Sequence, residues 1–190
     1  MSTTYIEESA RGLEIIPVDS RIMTDRRIFI GTITEETAVS FAKQMLVMSK
    51  SNEPIYIYIN SSGGEVNAGL AIYDIIQGTK CEIRMYCIGK ADSMAAVLFA
   101  AGQKGKRFIL PHSRVMVHEV LGGGVSGSAT SIARISESIM ETRDIVNGIL
   151  AKHTGRSVEE INRATAFDNF MNAYEAVSFG ICDQIVDNIF

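Results

Sequence analysis

The sequence predicts an α/β protein built on a largely parallel sheet, and two observations carry that expectation. Strand-like runs rich in β-branched and aromatic residues alternate with helix-like segments of about 10 to 15 residues. No linker or low-complexity stretch divides the 190 residues, a length that suits one compact domain spanning 1–190.

Taken in order, Arg27-Ile28-Phe29-Ile30 reads as a strand, followed by a helix over residues 35–50. Thr34 can cap that helix, and Glu35 and Glu36 suit the positive end of its dipole. Ile55-Tyr56-Ile57-Tyr58-Ile59 is the strongest strand signal and ends at the turn Asn60-Ser61-Ser62-Gly63-Gly64. A helix carrying Val66, Leu70, Ile72 and Ile75 then runs to the neighbourhood of Gly78. Ile83 to Ile88 forms the next strand, and Ser93 opens a helix that stops at Gly102. Phe108-Ile109-Leu110 and Val115-Met116-Val117 are short strands leading into a glycine-rich segment.

The last third changes character. Ile132, Ile135, Ile139, Ile145 and Ile149 recur near helical spacing, which predicts one helix over residues 128–152. Such a helix is roughly 35 Å long and projects from the body, so its isoleucines call for a second copy of the chain. Gly155 ends it. Ser157-Val158-Glu159-Glu160 forms a capping box for a short helix, Asn172 to Gly180 reads as another, and Ile185-Val186 as a closing strand.

Composition excludes several functions. A net charge of -4 with scattered basic residues argues against nucleic acid or an anionic membrane as partner. No uninterrupted apolar run approaches the roughly 18 residues of a membrane span. The N-terminal MSTTYIEESARG lacks the basic-then-apolar pattern of an export signal, so a cytoplasmic location is expected. Cys81, Cys87 and Cys182 are odd in number without CxxC spacing and read as buried reduced thiols. The three histidines are isolated, and neither a metal nor another cofactor is expected.

Four features could carry chemistry. Gly122-Gly123-Gly124-Val125-Ser126-Gly127 matches G-x-G-x-x-G, but the helix after it leads to more helix instead of a second strand bearing an acid. That context fits a glycine ribbon along an extended peptide better than a dinucleotide site. The Asn60–Gly64 turn reads either as a tight strand-to-helix connection or as a set of free N–H groups able to receive an oxyanion. His118 ends a strand, at the sheet edge where sites of open α/β sheets lie, whereas surface roles suit His112 and His153. Asp92-Ser93 before Met-Ala-Ala-Val-Leu-Phe suits a helix cap and a nucleophile alike. The surroundings of Ser93 are not G-x-S-x-G, and acids are too numerous for a third catalytic member to be chosen locally.

Read together, Tyr56-Ile57-Tyr58-Ile59-Asn60-Ser61-Ser62-Gly63-Gly64, Ser93-Met94, and Ser113-Arg114-Val115-Met116-Val117-His118 resemble the Clp protease proteolytic subunit (ClpP) family. The likeness continues through Leu150-Ala151-Lys152-His153-Thr154-Gly155 and Phe167-Asp168-Asn169-Phe170-Met171, and covers residues 6–186. It implies a serine endopeptidase with Ser93 as nucleophile, His118 as general base and Asp168 as the orienting acid. Gly64 and Met94 would supply the oxyanion hole. It further implies a crotonase-like α/β head built from a spiral of β-β-α units, with a helical handle over residues 120–152. Seven subunits would form a ring, two rings would stack, and an AAA+ unfoldase such as ClpX, ClpA or ClpC would feed unfolded polypeptide into the chamber. Tyr56, Tyr58, Phe108 and Leu110 match the family's unfoldase-docking surface, and residues 1–19, with Leu13, Ile15 and Ile16, match its axial loop.

The sequence departs from the family at Ser62, Asp92, Ala95, Glu119, Val120 and Phe167. Phe167 stands where the family has an arginine that joins ring to ring. These departures fit a second isoform that works weakly or structurally in a mixed barrel, while a crotonase-type acyl-CoA enzyme is the more distant alternative. Asp92 and Glu119 are expected to act on His118, favouring its cation.

Overall fold

The computed structural model describes residues 3–9 and 12–189. An antiparallel hairpin, β1 (Thr4–Ser9) and β2 (Gly12–Pro17), leads into a short helix, α1 (Val18–Thr24). Ile6, Leu13 and Ile15 of the hairpin are exposed. Of the expected axial segment 1–19, residues 1, 2, 10 and 11 lie outside the described residues.

The main sheet alternates with helices as expected. Its elements are β3 (Arg27–Ile30), α2 (Glu35–Met48), β4 (Ile55–Ser61), α3 (Val66–Gly78), β5 (Ile83–Asp92) and α4 (Met94–Ala100). Then come β6 (Arg107–Ile109), β7 (Arg114–Val117), α5 (Ala129–Thr154), α6 (Val158–Thr165), β8 (Asn169–Asn172), α7 (Ala173–Phe179) and β9 (Gln184–Ile185). Strands pair in parallel in the order β3-β4-β5-β6-β9. The inner side chains of β4 and β5, among them Ile55, Ile57, Ile59, Ile83 and Met85, pack against α2, α3 and α4 to form the core. Every residue of α4 is buried, which explains its continuous apolar sequence.

β5 is the hinge of the architecture. Its first half pairs with β6 at Met85–Cys87, and its last three residues pair in parallel with β7. Between these segments the register with β4 shifts, Ile59 facing Cys87 but Ser61 facing Ala91. Gly89 makes the bend at φ +109°, where a side chain would meet Asn60 Oδ1 at 2.9 Å. The strand therefore runs four residues beyond its expected end and delivers Asp92 to the start of α4.

β8 is a strand that the sequence reading missed. It pairs antiparallel with β7, from Arg114↔Asn172 to Val117↔Asn169. The caps expected at Thr34 and Ser157 accept from backbone amides in capping boxes, Gly155 closes α5 in the left-handed region, and Asn172 forms a further capping box at the start of α7. α5 spans 26 residues, about 39 Å. Its buried residues are Val146, Asn147, Ile149 and Leu150 near its C-terminal end, while Ile132, Ile135 and Met140 on the projecting half are exposed. The glycine segment before it is extended without regular structure, and Gly122 packs so closely on Ile139 that a side chain there would collide with it.

Candidate active site

The ends of β5, β7 and β8 converge. The amide of Ser93, one residue past β5, donates to the Met116 carbonyl of β7 at 2.8 Å. His118 is the residue after β7 and Asp168 the residue before β8, one step beyond the last paired residues, Val117 and Asn169. Continuing that register sets His118 opposite Asp168, a cross-strand separation of about 5 Å between Cβ atoms. The 49 residues between them include α5 and α6.

Ser93 adopts φ 58°, ψ −126°, a conformation that strains any residue other than glycine. Its hydroxyl makes no capping hydrogen bond, so the expected dual use of this position is corrected. Ser93 occupies the N-cap site of α4 without capping the helix through its side chain. The packing around it is tight: a side chain on Gly63 (φ +90°) would come within 2.8 Å of Ser93 Cβ and of the Asp92 carbonyl.

The Asn60–Gly64 turn lies on the other side of Ser93. Ile33 N–H donates to the Gly63 carbonyl and Glu65 N–H to the Ile33 carbonyl, both at 2.9 Å. Ser61 Oγ accepts from the Gly63 amide at 3.0 Å. These bonds hold the turn while the amides of Gly64 and Met94 find no acceptor among the described residues. Gly64, at φ +151°, lies directly on the Ile33 backbone and has no room for a side chain.

Ser93, His118, Gly64 and Met94 line one cavity of about 280 Å³. Val97, Leu121, Val146 and Leu150 make much of its wall apolar. Asp168 is exposed at the strand end and is not part of the lining. No hydrogen bond joins Ser93, His118 and Asp168 to one another in this conformation.

The two acids expected to act on His118 have other partners. Asp92 Oδ2 accepts from Arg114 Nη2 at 3.2 Å, and Glu119 Oε1 lies 3.5 Å from Arg143 Nη1 on α5. His153, expected at the surface, is half-buried with Nε2 3.2 Å from the Tyr73 hydroxyl, and burial lowers its pKa. Cys81, Cys87 and Cys182 are buried free thiols, as expected, and burial pushes Cys87 and Cys182 up to about 12. Among the described residues no cluster of His, Cys, Asp and Glu could hold a metal ion, and no helix is long and apolar enough to cross a membrane.

On the outer face of the sheet, Phe29, Tyr58, Tyr86 and Phe108 stack in register across four strands, with centroid spacings of 4.9, 5.2 and 5.0 Å. Sequence reading found Tyr58 and Phe108 but missed Phe29 and Tyr86, whose place in the ladder depends on strand register. Tyr56 and Leu110 are half-buried nearby, whereas Tyr58 is only 1% exposed. Its hydroxyl donates to the Ile189 carbonyl at 3.4 Å, so the C-terminal segment covers the ring expected at the docking surface.

The Clp protease family model matches residues 10–189. The ATP-dependent Clp protease proteolytic subunit of Bdellovibrio bacteriovorus is 42% identical over 188 residues, covering 96% of this chain and 89% of that relative. A match to this family over nearly the whole chain, together with a proteolytic subunit as relative, makes this α/β protein a serine endopeptidase. The chain belongs to the Clp protease family. It is a proteolytic subunit in a family of oligomeric, ring-forming proteases that work with Clp ATPases.

Proposed function

We propose that Ser93, His118 and Asp168 form the catalytic triad of this protease, with Gly64 and Met94 as its oxyanion hole. The observation that carries this reading is the pair of unbonded amides beside a strained serine in one cavity. Ser93 Oγ attacks the scissile carbonyl as His118 takes its proton, and Asp168 holds the imidazole in the useful tautomer. The Gly64 and Met94 amides receive the negative oxygen of the tetrahedral intermediate. His118 returns the proton to the departing amine, leaving an acyl-enzyme that water hydrolyses with His118 again as base. The apolar cavity wall favours an apolar side chain beside the bond that is cut.

The chain 1–190 acts in this reading as one cytoplasmic unit within two stacked rings of seven, the exposed isoleucines of α5 forming part of the contact. The hairpin forms the axial loop. An AAA+ unfoldase such as ClpX, ClpA or ClpC docks on the aromatic ladder near Tyr56, Phe108 and Leu110, and the C-terminal segment leaves Tyr58 when it does. Native mass spectrometry with fluorogenic-peptide hydrolysis, for wild type and Ser93→Ala, tests this. Fourteen subunits with activity abolished by the substitution are expected; full activity in the variant refutes Ser93 as nucleophile.

A second reading, a weakly active or structural isoform in a mixed barrel, is favoured by the lack of hydrogen bonds among the three side chains. Phe167, 85% exposed where the family has an arginine, points the same way. Fluorophosphonate labelling of Ser93, alone and with a second Clp proteolytic subunit, separates the two: labelling only in the mixture selects the isoform.

A further inference from the structure

The side chain of Asp92, immediately before the nucleophile, is as enclosed as the core: the residue is 4% exposed. One carboxylate oxygen meets Arg114, and the other, Oδ1, is buried without a partner. Such an oxygen weakens a fold, because it has given up water and received nothing in exchange. Arg114 itself is half-exposed, so the pair is screened and poorly suited to holding the protein together.

Its geometry suits another purpose. The guanidinium of Arg114 leaves β7, reaches the Asp92 carboxylate of β5 on one side, and lies 5.0 Å from the centre of the Phe170 ring of β8 on the other. The register places these groups on one face, with Lys90 and Asp92 beside Arg114 and Met116, and Phe170 opposite Met116. Continued to the strand ends, the alternation puts His118 and Asp168 on that same face. One cation thus touches all three strands whose ends carry Ser93, His118 and Asp168.

The backbone at this seam is sparse. β5 and β7 share only three paired positions, Lys90–Asp92 with Arg114–Met116, and they follow the bend at Gly89. Few ladder bonds therefore fix the last residues of β5 against β7.

We propose that Asp92 and Arg114 are positioning residues for peptide hydrolysis. Their ion pair, extended by the Arg114–Phe170 contact, braces β5, β7 and β8 so that Ser93, His118 and Asp168 come into reach of one another. The proposal rests on the assignment of those three residues as the triad. It gives the buried carboxylate a directional task that its energetics do not explain.

The test compares wild type with Asp92→Asn, Arg114→Gln, the double variant and Arg114→Lys. The readouts are kcat and KM for a fluorogenic peptide, fluorophosphonate labelling of Ser93, native mass and thermal unfolding. Misplacement of a triad member by a fraction of an ångström predicts kcat lower by about tenfold to a hundredfold in each single variant, with KM little changed. The double variant falls no further than the worse single, and Arg114→Lys recovers part of the rate. Asp92→Asn unfolds no earlier than wild type, since a buried charge has been removed. Unchanged kcat in both single variants overturns the brace, as do additive losses or losses that follow falling stability or assembly. A wild-type chain that neither labels nor hydrolyses, alone or in a mixed assembly, refutes the triad itself.

Discussion

The Ser93 amide donates to the Met116 carbonyl at 2.8 Å while Ser93 itself sits at φ 58°. The two facts belong together. The bond ties the end of β5 to β7, and the chain must then turn within one residue to start α4, which drives that residue into the left-handed half of conformational space. The strain at Ser93 is thus a consequence of where the strand ends, at a residue that lines the cavity.

Glycine relieves such strain and alanine does not. Ser93→Ala and Ser93→Gly are both expected to abolish peptide hydrolysis, but the glycine variant should be more stable than the alanine variant by about 1 kcal/mol. Thermal unfolding of the two checks this; equal stability would mean that the serine backbone is not strained in solution.

Gly63→Ala introduces a carbon 2.8 Å from both Ser93 Cβ and the Asp92 carbonyl, at a φ of +90°. A loss of about 1–3 kcal/mol in stability is expected, with peptide hydrolysis down at least about a hundredfold as Ser93 is pushed from its place. Gly123→Ala, with open space around it, serves as the control and should unfold within about 0.5 kcal/mol of wild type.

Arg107, 4% exposed, holds Asp183 through paired guanidinium contacts, and Asp183 Oδ2 also accepts from the Gly105 and Arg107 amides at 2.8 and 3.0 Å. Burial raises the Asp183 pKa, but the arginine and the amides outweigh it and leave it below the ordinary carboxylate range. A depressed folded value means that this contribution is present above the unfolded pKa and disappears as pH falls through the folded one. His153 acts in the same direction, because burial makes its protonation unfavourable in the fold. Denaturant unfolding between pH 7 and 3 should show stability falling with acid. Asp183→Asn should lower stability at pH 7 by about 3 kcal/mol and flatten that slope.

Leu98, fully enclosed in the middle of α4, tests the core that supports the site. Leu98→Ala is expected to lose about 2–5 kcal/mol by chemical denaturation, with less lost if α4 can settle into the space.

Ile132 and Ile135 on the projecting half of α5 are exposed in the single chain. Ile135→Asp is expected to lower the subunit count in native mass spectrometry while leaving far-UV circular dichroism unchanged. An unchanged assembly would exclude this face from the contact.

Much was legible in the amino-acid order. The alternation of apolar strands and amphipathic helices, the caps at Thr34 and Ser157, the Gly155 stop and the long helix α5 are all local patterns, and all appear in the structure. The candidate residues Ser93, His118, Asp168, Gly64 and Met94 were read from their resemblance to one family, and four of them line one cavity. What depended on contacts distant in sequence was decided by the tertiary structure alone. β8, Asn-Phe-Met-Asn, contains no β-branched residue and becomes a strand only because β7 supplies its partner. The hairpin β1–β2 was invisible because it has little buried face to impose a pattern. Ser93 looked like a helix cap until the pairing of β5 with β7 set its backbone angles, and Asp92 looked like a neighbour of His118 until Arg114 claimed its carboxylate. Local propensity and periodicity belong to the chain, whereas strain, register and the partner of a buried charge belong to the packed molecule.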